Sequence, residues 1–322
     1  MKKRQSRTIY LLVFDGCQIL DFAGPAQVFT TASQHIRDGV ESYGGYDVKL
    51  VSANVSVTTA TGIDVTCLPF PRRLRAESTL LVAGGGGVSA VAASTDYEKW
   101  VKRSLQYCQR WGSVCTGSLA LAAWGLLDGK TATTHWRHLN ELAKHTAVTL
   151  EEDALFVNDG AVWTSAGISA GIDMALAMVA EDAGTVVANQ TAQHMVLATK
   201  RAGHQTQYSD LVALSLRDPQ GDFAALHDWM QANLSRPIAL SDMADFCATT
   251  VRTLQRRYKA NLKTSPLKTL KQLRMQKAKN LLRSSDAAVT LVASECGFNS
   301  VQQFSKDFRS IFGVSPLQFR GQ

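Results

Sequence analysis

The feature that most restricts this 322-residue chain is a unit written twice near its C-terminus. Met243-Ala244-Asp245-Phe246-Cys247-Ala248 leads to Leu254, Tyr258, Leu262 and Ser265-Pro266-Leu267. Val292-Ala293-Ser294-Glu295-Cys296-Gly297 leads in the same way to Phe304, Phe308, Phe312 and Ser315-Pro316-Leu317. Ala244 and Ala293 lie 49 residues apart, whereas Pro266 and Pro316 lie 50 apart, so the second copy gains one residue in its turn. A repeat whose only slip falls in a turn predicts two helix-turn-helix units in tandem.

Charge follows the same division. Residues 222–322 hold 15 Lys/Arg against 7 Asp/Glu, a net of +8, out of 34 and 27 in the whole chain. The preceding residues therefore carry 19 basic and 20 acidic side chains. Positive charge confined to the repeated segment is the footprint of a nucleic-acid-binding module beside a neutral partner domain. Two domains, each with its own core, fit the length.

Six cysteines (Cys17, Cys67, Cys108, Cys115, Cys247, Cys296) show neither CxxC pairing nor histidines at zinc spacing. No disulfide framework, metal or cofactor is expected, and a reducing cytoplasm is the natural setting. Cys247 and Cys296 occupy equivalent repeat positions and should be small buried side chains. The basic start Met1-Lys2-Lys3-Arg4 precedes an apolar run, Ile9–Phe14, that is too short for a signal segment and lacks a cleavage site. No apolar stretch approaches ~18 residues, so no membrane association is expected.

In the first two thirds, Ile9–Phe14 reads as a strand buried on both faces, and a helix follows from Leu20 to about Ser33 with Pro25 near its start. Tyr46–Ser52 predicts a second strand, Val55–Leu68 a hairpin, and Thr79–Ala83 a third buried strand ending in Gly84–Gly87. Asp96–Trp111 predicts an amphipathic helix. Val148–Asp153, Leu155–Val157 and Ala161–Thr164 read as short strands with a turn at Asn158-Asp159-Gly160, then helices to about Ala183 and from Thr185 to Arg201. Strands alternating with helices predict a doubly wound, flavodoxin-like α/β domain over residues 1–200. Residues 201–221 read as a linker with a short helix around Leu211–Leu216, and residues 222–322 as an all-α domain with the two helix-turn-helix units.

Ser113-Val114-Cys115-Thr116-Gly117-Ser118, followed by a helix over Leu119–Leu127, has the spacing of a nucleophile elbow. Such a turn exposes the sulfur at a helix N-terminus, where the dipole lowers a thiol's pKa. His135 follows twenty residues on, and Asp21 can place a carboxyl at the same sheet edge. The Gly84–Gly87 run lacks the GxGxxG pattern of nucleotide binding and reads as a tight turn beside a pocket.

These pieces (Val13-Phe14-Asp15-Gly16, Leu20-Asp21, Gly24-Pro25, the glycine run, Cys115-Thr116-Gly117 and Thr133-Thr134-His135-Trp136) resemble the PfpI-like branch of the class I glutamine amidotransferase-like superfamily. The resemblance covers residues 8 to about 195. It implies a pocket lined by Asp21, Cys115 and His135, with Gly85, Gly86, Thr116, Gly167 and Ile168 around it. Where a glutaminase would carry an acid two residues after the histidine, this chain has Arg137, so glutaminase chemistry is not expected. A pocket retained for a small effector, a working nucleophile at Cys115 and a structural relic are three uses of such a site; the first is preferred.

In the last third, helices are expected over Asp222–Leu234, from a Ser241-Asp242 cap to Phe246, and from Val251 with Thr250 as N-cap. Val251, Leu254 and Tyr258 should face inward, leaving Arg252, Gln255, Arg256 and Lys259 as an outward stripe. Arginine suits guanine, glutamine suits adenine, and lysine suits the backbone. Ser265 and Pro266 should open a long helix to about Arg283, with Leu267, Leu270 and Leu273 inward and its cations toward solvent or phosphate. In the second copy Ser300 caps, Phe304, Phe308, Ile311 and Phe312 face in, and Gln302, Ser305, Lys306 and Arg309 face out. Two such faces on one stiff helix suit successive major grooves ~34 Å apart.

Leu254-Gln255-Arg256-Arg257, Cys296-Gly297-Phe298, Phe304–Arg309 and Phe312–Pro316 resemble the AraC-type DNA-binding domain over residues 222–320. The resemblance implies base contacts from Arg252, Gln255 and Arg256 in the first unit and from Val301, Gln302, Ser305 and Lys306 in the second, with Asn299 and Ser300 at phosphate. It implies a DNA-binding regulator, more often an activator, in a bacterial cytoplasm. Its partners would be double-stranded operator DNA, a small and often nitrogen-containing effector, a second copy of the chain in a homodimer, and RNA polymerase. The alternative is a cysteine-dependent hydrolase or hydratase with an accessory DNA-binding domain.

Overall fold

The computed structural model describes residues 6–39, 44–197, 203 and 221–320. The chain divides into two compact units, residues 1–207 and 208–322.

In the first unit, β1 (Arg7–Leu12) leads into α1 (Ile19–Gly39) and β2 (Tyr46–Ser52). The hairpin β3 (Ser56–Thr58) and β4 (Asp64–Thr66) follows, then β5 (Leu68–Pro69), β6 (Ser78–Val82), α2 (Val88–Ala93) and α3 (Thr95–Ser104). β7 (Cys108–Val114) runs into α4 (Gly117–Ala123), followed by β8 (Thr131–Ala132), α5 (Leu139–Leu142) and β9 (Thr149–Leu150). β10 (Phe156–Asp159), β11 (Val162–Ser165), α6 (Ser169–Ala183) and α7 (Thr185–His194) complete it. The main sheet has the order β10-β11-β7-β6-β1-β2-β5, parallel except for β10 against β11. β6 is buried throughout and β1 at every position after its first. Strands of that kind need cover on both faces, and two helical groups, α1 with α6 and α7 and α2 with α3 and α4, supply it.

Several expectations need correction. Asp96–Trp111 is not one helix: α3 stops at Ser104, a single 3-10 turn follows, and Cys108 enters the sheet. β7 escapes a pattern-based reading because it carries Gln109 and Arg110. Arg110 is nonetheless buried, its Nε donating to Thr79 Oγ1 at 3.0 Å and its guanidinium paired with Asp182. Pro25 is the seventh residue of a 21-residue helix rather than near its start. α4 ends at Ala123 and not Leu127, and the β10–β11 turn is Gly160-Ala161, because Asp159 pairs with Val162. α7 ends at His194 and Met195 and Val196 form a turn, with Val196 at φ 55°, so the expected helix to Arg201 stops early; residues 198–201, the linker 201–221 apart from Gly203 and Gly221, and the short helix at 211–216 lie outside the described residues.

The second unit is helical: α8 (Ala224–Ala232), α9 (Leu240–Phe246), α10 (Val251–Leu262), α11 (Pro266–Ser284), α12 (Val289–Glu295), α13 (Val301–Phe312) and α14 (Pro316–Arg320). It holds two cores. Leu226, Met230, Met243, Leu254, Tyr258, Leu270 and Leu273 build the first. Met275, Ala278, Leu282, Val292, Phe304, Phe308 and Phe319 build the second. Each fully buried Leu or Phe contributes roughly 1.5–3 kcal/mol by leaving water. The Tyr258 hydroxyl, buried with its ring, meets His227 Nε2 at 2.7 Å.

The repeat is legible atom by atom. Thr249 N–H donates to Ala244 C=O, and Phe298 N–H donates to Ala293 C=O. Ala248 (φ 47°) and Gly297 (φ 72°) hold the same left-handed position. Thr250 accepts from Thr253 N–H and Ser300 from Gln303 N–H as N-caps. The extra residue of the second copy is Asn299, between Phe298 and the cap. α9 is capped differently from expectation: Ala239 is the N-cap, and its N–H donates to Asp242 at 2.7 Å. Val251, Leu267 and Ile311 are 38%, 46% and 45% exposed rather than inward. Each lies in the first or last turn of its helix. Cys296 is buried, whereas Cys247 is only half-buried.

Candidate functional site

The carboxyl ends of β1, β6, β7 and β11, four neighbouring parallel strands, meet at Asp21, as open α/β sheets tend to place their sites. Asp21 sits in the first turn of α1 and is 1% exposed. Its Oδ2 accepts from Gly84 N–H at 3.0 Å, after β6, and its Oδ1 accepts from Ile168 N–H at 2.9 Å, after β11. The Cys115 thiol lies beside the same carboxylate, near enough for the two to shift each other's ionisation.

Cys115 occupies a strained elbow between β7 and α4, with φ 56°. Its N–H donates to Ser165 C=O at 2.9 Å, and its carbonyl accepts from Ser118 Oγ and Thr134 Oγ1, both at 3.2 Å. The elbow demands little bulk around it. A Cβ on Gly117 would stand 2.4 Å from Val82 O, and one on Gly167 (φ 105°) would stand 2.4 Å from Cys115 Cβ. Ile168, also at positive φ (45°), continues that strained turn into α6.

Electrostatics overturn the expectation of an exposed, activated sulfur. Cys115 is 6% exposed. Burial first, then the neighbouring Asp21 carboxylate, push its thiol up to about 12, outweighing the lowering from Thr116 N–H at the head of α4. Burial likewise pushes Asp21 up to about 6, against the lowering by its N–H donors.

His135 is not joined to this cluster. Its Nδ1 accepts from Arg137 N–H at 3.3 Å, its ring lies beside Trp136 and His138, and no hydrogen bond links it to Cys115 or Asp21 among the described residues. Burial, then the positive neighbours His138 and Arg137, lower its pKa. Gly85 (φ 139°) donates its N–H to Thr116 Oγ1 at 2.9 Å, while Gly86 borders open space. Two residues escaped the sequence reading. Gly84 lies where a Cβ would sit 2.7 Å from Cys115 Cβ and 2.8 Å from Asp21 Oδ2; its signal was its place as the first glycine after a buried strand. Thr134 was masked by the more reactive histidine beside it.

In the second unit, Arg252, Gln255, Arg256 and Lys259 are all exposed on α10. None of the three cations makes an ion pair among the described residues. On the second face Asn299, Gln302 and Lys306 are exposed, and Ser300, Val301 and Ser305 half-buried. Gln302 Oε1 accepts from Ser300 Oγ at 2.9 Å. Not all cations of α11 face outward: Lys279 is buried, Arg274 is tied to backbone carbonyls, and Lys271 Nζ lies 2.9 Å from Asp307.

A PfpI-like sheet with a cysteine elbow, joined to a doubled helix-turn-helix, defines the class. The chain belongs to the DJ-1/PfpI family over residues 7–181 and carries an AraC-type helix-turn-helix domain over residues 243–322. Among its relatives is the HTH-type transcriptional regulator GbdR of Pseudomonas aeruginosa, 27% identical across 99% of this chain and 85% of that protein. The HTH-type transcriptional regulator GlxA of Rhizobium meliloti is 27% identical across 85% of this chain and 84% of its own. The isonitrile hydratase of Pseudomonas putida is 33% identical over 55% of this chain and 72% of its own. A ThiJ/PfpI family protein from Pseudomonas syringae superposes with a TM-score of 0.54 at 26% identity, covering 69% of this chain and 89% of that one.

Proposed function

We propose that this chain is a transcriptional regulator that binds double-stranded DNA through residues 222–322 and senses a small molecule through residues 1–200, with 201–221 as the linker. The observation that carries this reading is the exposed Arg252/Arg256/Lys259 stripe, unpaired among the described residues, on the second helix of a helix-turn-helix that is itself repeated. Likeness to named regulators along nearly the whole chain supports it. Arg252, Gln255, Arg256 and Lys259 read one major groove. Val301, Gln302, Ser305 and Lys306 read the next, and Asn299 and Ser300 contact phosphate. The protein works in the cytoplasm as a homodimer, activates transcription through RNA polymerase, and takes a nitrogen-containing metabolite between Asp21, Gly85, Gly86, Cys115, Thr116, His135, Gly167 and Ile168. Among the described residues no helix is long and apolar enough to cross a membrane. Binding of the full chain to duplexes selected from a random pool tests this. Affinity should fall steeply with salt as cations displace counterions, and no retained duplex at any salt would refute it.

A second reading, a cysteine-dependent hydratase, draws on the Pseudomonas putida relative. The raised thiol argues against it. Relative to an ordinary thiol near 9, a value of about 12 leaves on the order of a thousandfold less thiolate at neutral pH. Cys115→Ala is therefore expected to leave DNA affinity within about twofold of wild type, since a buried neutral thiol outside residues 222–322 offers no contact to DNA. Turnover of an isonitrile by wild type that disappears in Cys115→Ala would instead favour the enzyme.

A further inference from the structure

α11 changes partners at a single residue. Leu270 and Leu273 belong to the first core of the DNA-binding unit, Met275 and Ala278 to the second, and Arg274 stands between them. Its Nε donates to Leu234 C=O at 3.1 Å and its Nη2 to Arg236 C=O, both in the loop between α8 and α9. The same guanidinium lies 5.8 Å from the centre of the Phe298 ring, in the turn of the second helix-turn-helix. Beside it, Gly297 (φ 72°) comes so close that a Cβ would stand 2.7 Å from Arg274 Nη2 and 2.3 Å from Leu234 O. One side chain thus joins the loop of the first half to the turn of the second.

No carboxylate pairs with Arg274 among the described residues; its fork is satisfied by carbonyl oxygens. Two flanking cations of α11 are also engaged within the protein. Lys271 Nζ lies 2.9 Å from Asp307 Oδ1 on α13, and Lys277 Nζ donates to Glu295 C=O at 2.7 Å, at the end of α12. Positions 271, 274 and 277 lie along one side of α11: Lys271 and Lys277 fix elements of the second helix-turn-helix against it, and Arg274 ties it to the loop of the first half. A planar fork held by two fixed acceptors and lying over a ring defines direction as well as distance, which a lysine cannot reproduce.

We propose that Arg274 is a positioning residue that sets the separation and angle of the two recognition helices, α10 and α13, and so dictates the spacing between the two boxes the protein reads on one duplex. The inference rests on the DNA-binding reading above. The two halves act as linked binders, so their joint affinity depends on whether the held geometry matches the site.

The test uses the full chain. A duplex is selected from a random pool with wild type, and footprinting identifies its two boxes. Affinities are then measured on that duplex and on versions with one or two base pairs inserted between the boxes. Wild type should lose about tenfold or more per insertion, whereas Arg274→Ala should bind the selected duplex about tenfold more weakly and be nearly indifferent to the insertions. Arg274→Lys should behave like Arg274→Ala while keeping the wild-type charge, and it decides the matter if Arg274→Ala fails to fold by circular dichroism. An unchanged spacing penalty in a folded variant, or a parallel loss at every spacing, would overturn the inference and leave the DNA-binding reading intact. A wild type that retains no duplex would overturn both.

Discussion

Full-length protein carrying Arg252→Ala and Arg256→Ala together should bind its selected duplex on the order of a hundredfold or more weaker than wild type. Each bidentate arginine–guanine pairing is worth about 1–3 kcal/mol, so removing two costs about 2–6 kcal/mol. Both side chains are exposed on α10, one turn apart on the face opposite Leu254 and Tyr258, and among the described residues neither has an internal ion pair to reform when DNA is withdrawn. If either meets phosphate instead, the slope of log affinity against log salt should become shallower by about 0.9 for each phosphate that is no longer neutralised. Gln302→Ala should cost less, about tenfold at most: the second face is less basic, and its Gln302 Oε1 is already occupied by Ser300 Oγ. Fluorescence anisotropy across a salt series separates the cases. Equal losses for Gln302→Ala and Arg256→Ala would show that the two faces discriminate alike.

What could be read from the chain and what could not divides along physical lines. Tyr46–Ser52 and the paired helix-turn-helix units were legible because a half-buried strand and an amphipathic helix write their period into neighbouring residues. β7 was not, because Arg110 is made tolerable in a buried strand by Asp182, 72 residues further on, and periodicity carries no trace of so distant a partner. The exposure of Val251, Leu267 and Ile311 was hidden for a related reason. Spacing assigns a residue to a face but does not say which part of that face a tertiary neighbour covers. At the pocket, the elbow was visible in Ser113–Gly117, yet its chemical state was not. The Cys115 thiol is set by burial and by a carboxylate 94 positions earlier in the chain, and these outweigh the local helix effect that the sequence does show. His135 illustrates the converse: within the motif that names it, Thr134 bonds the elbow, while the histidine's own ring accepts from Arg137 N–H.

Asp21→Asn should remove the part of the pH dependence of stability that Asp21 itself supplies over the range where it titrates. In the folded chain the carboxyl is raised from 3.8 to about 6, chiefly by burial. Below about pH 3 it is protonated in both folded and unfolded chains, and its contribution is fully present. From there to about pH 7 the unfolded chain loses the proton first, so stability falls as pH rises, and above about 7 both forms are ionised and the fall stops. At 1.36 kcal/mol per unit, a rise from 3.8 to about 6 corresponds to about 3 kcal/mol. The advantage of wild type over Asp21→Asn should therefore shrink by about 3 kcal/mol between about pH 3 and pH 7. Asparagine cannot serve Gly84 N–H and Ile168 N–H equally, since one of its two terminal atoms is a donor. The strained Gly167-Ile168 turn should accordingly loosen at every pH, adding an offset without a slope. Urea unfolding of the full chains followed by tryptophan fluorescence at a series of pH values measures both quantities. A wild-type advantage that stays constant between about pH 3 and pH 7 would mean that Asp21 ionises in the folded protein as it does in water, and that the carboxylate does not hold the three loops at the pocket from within a buried site.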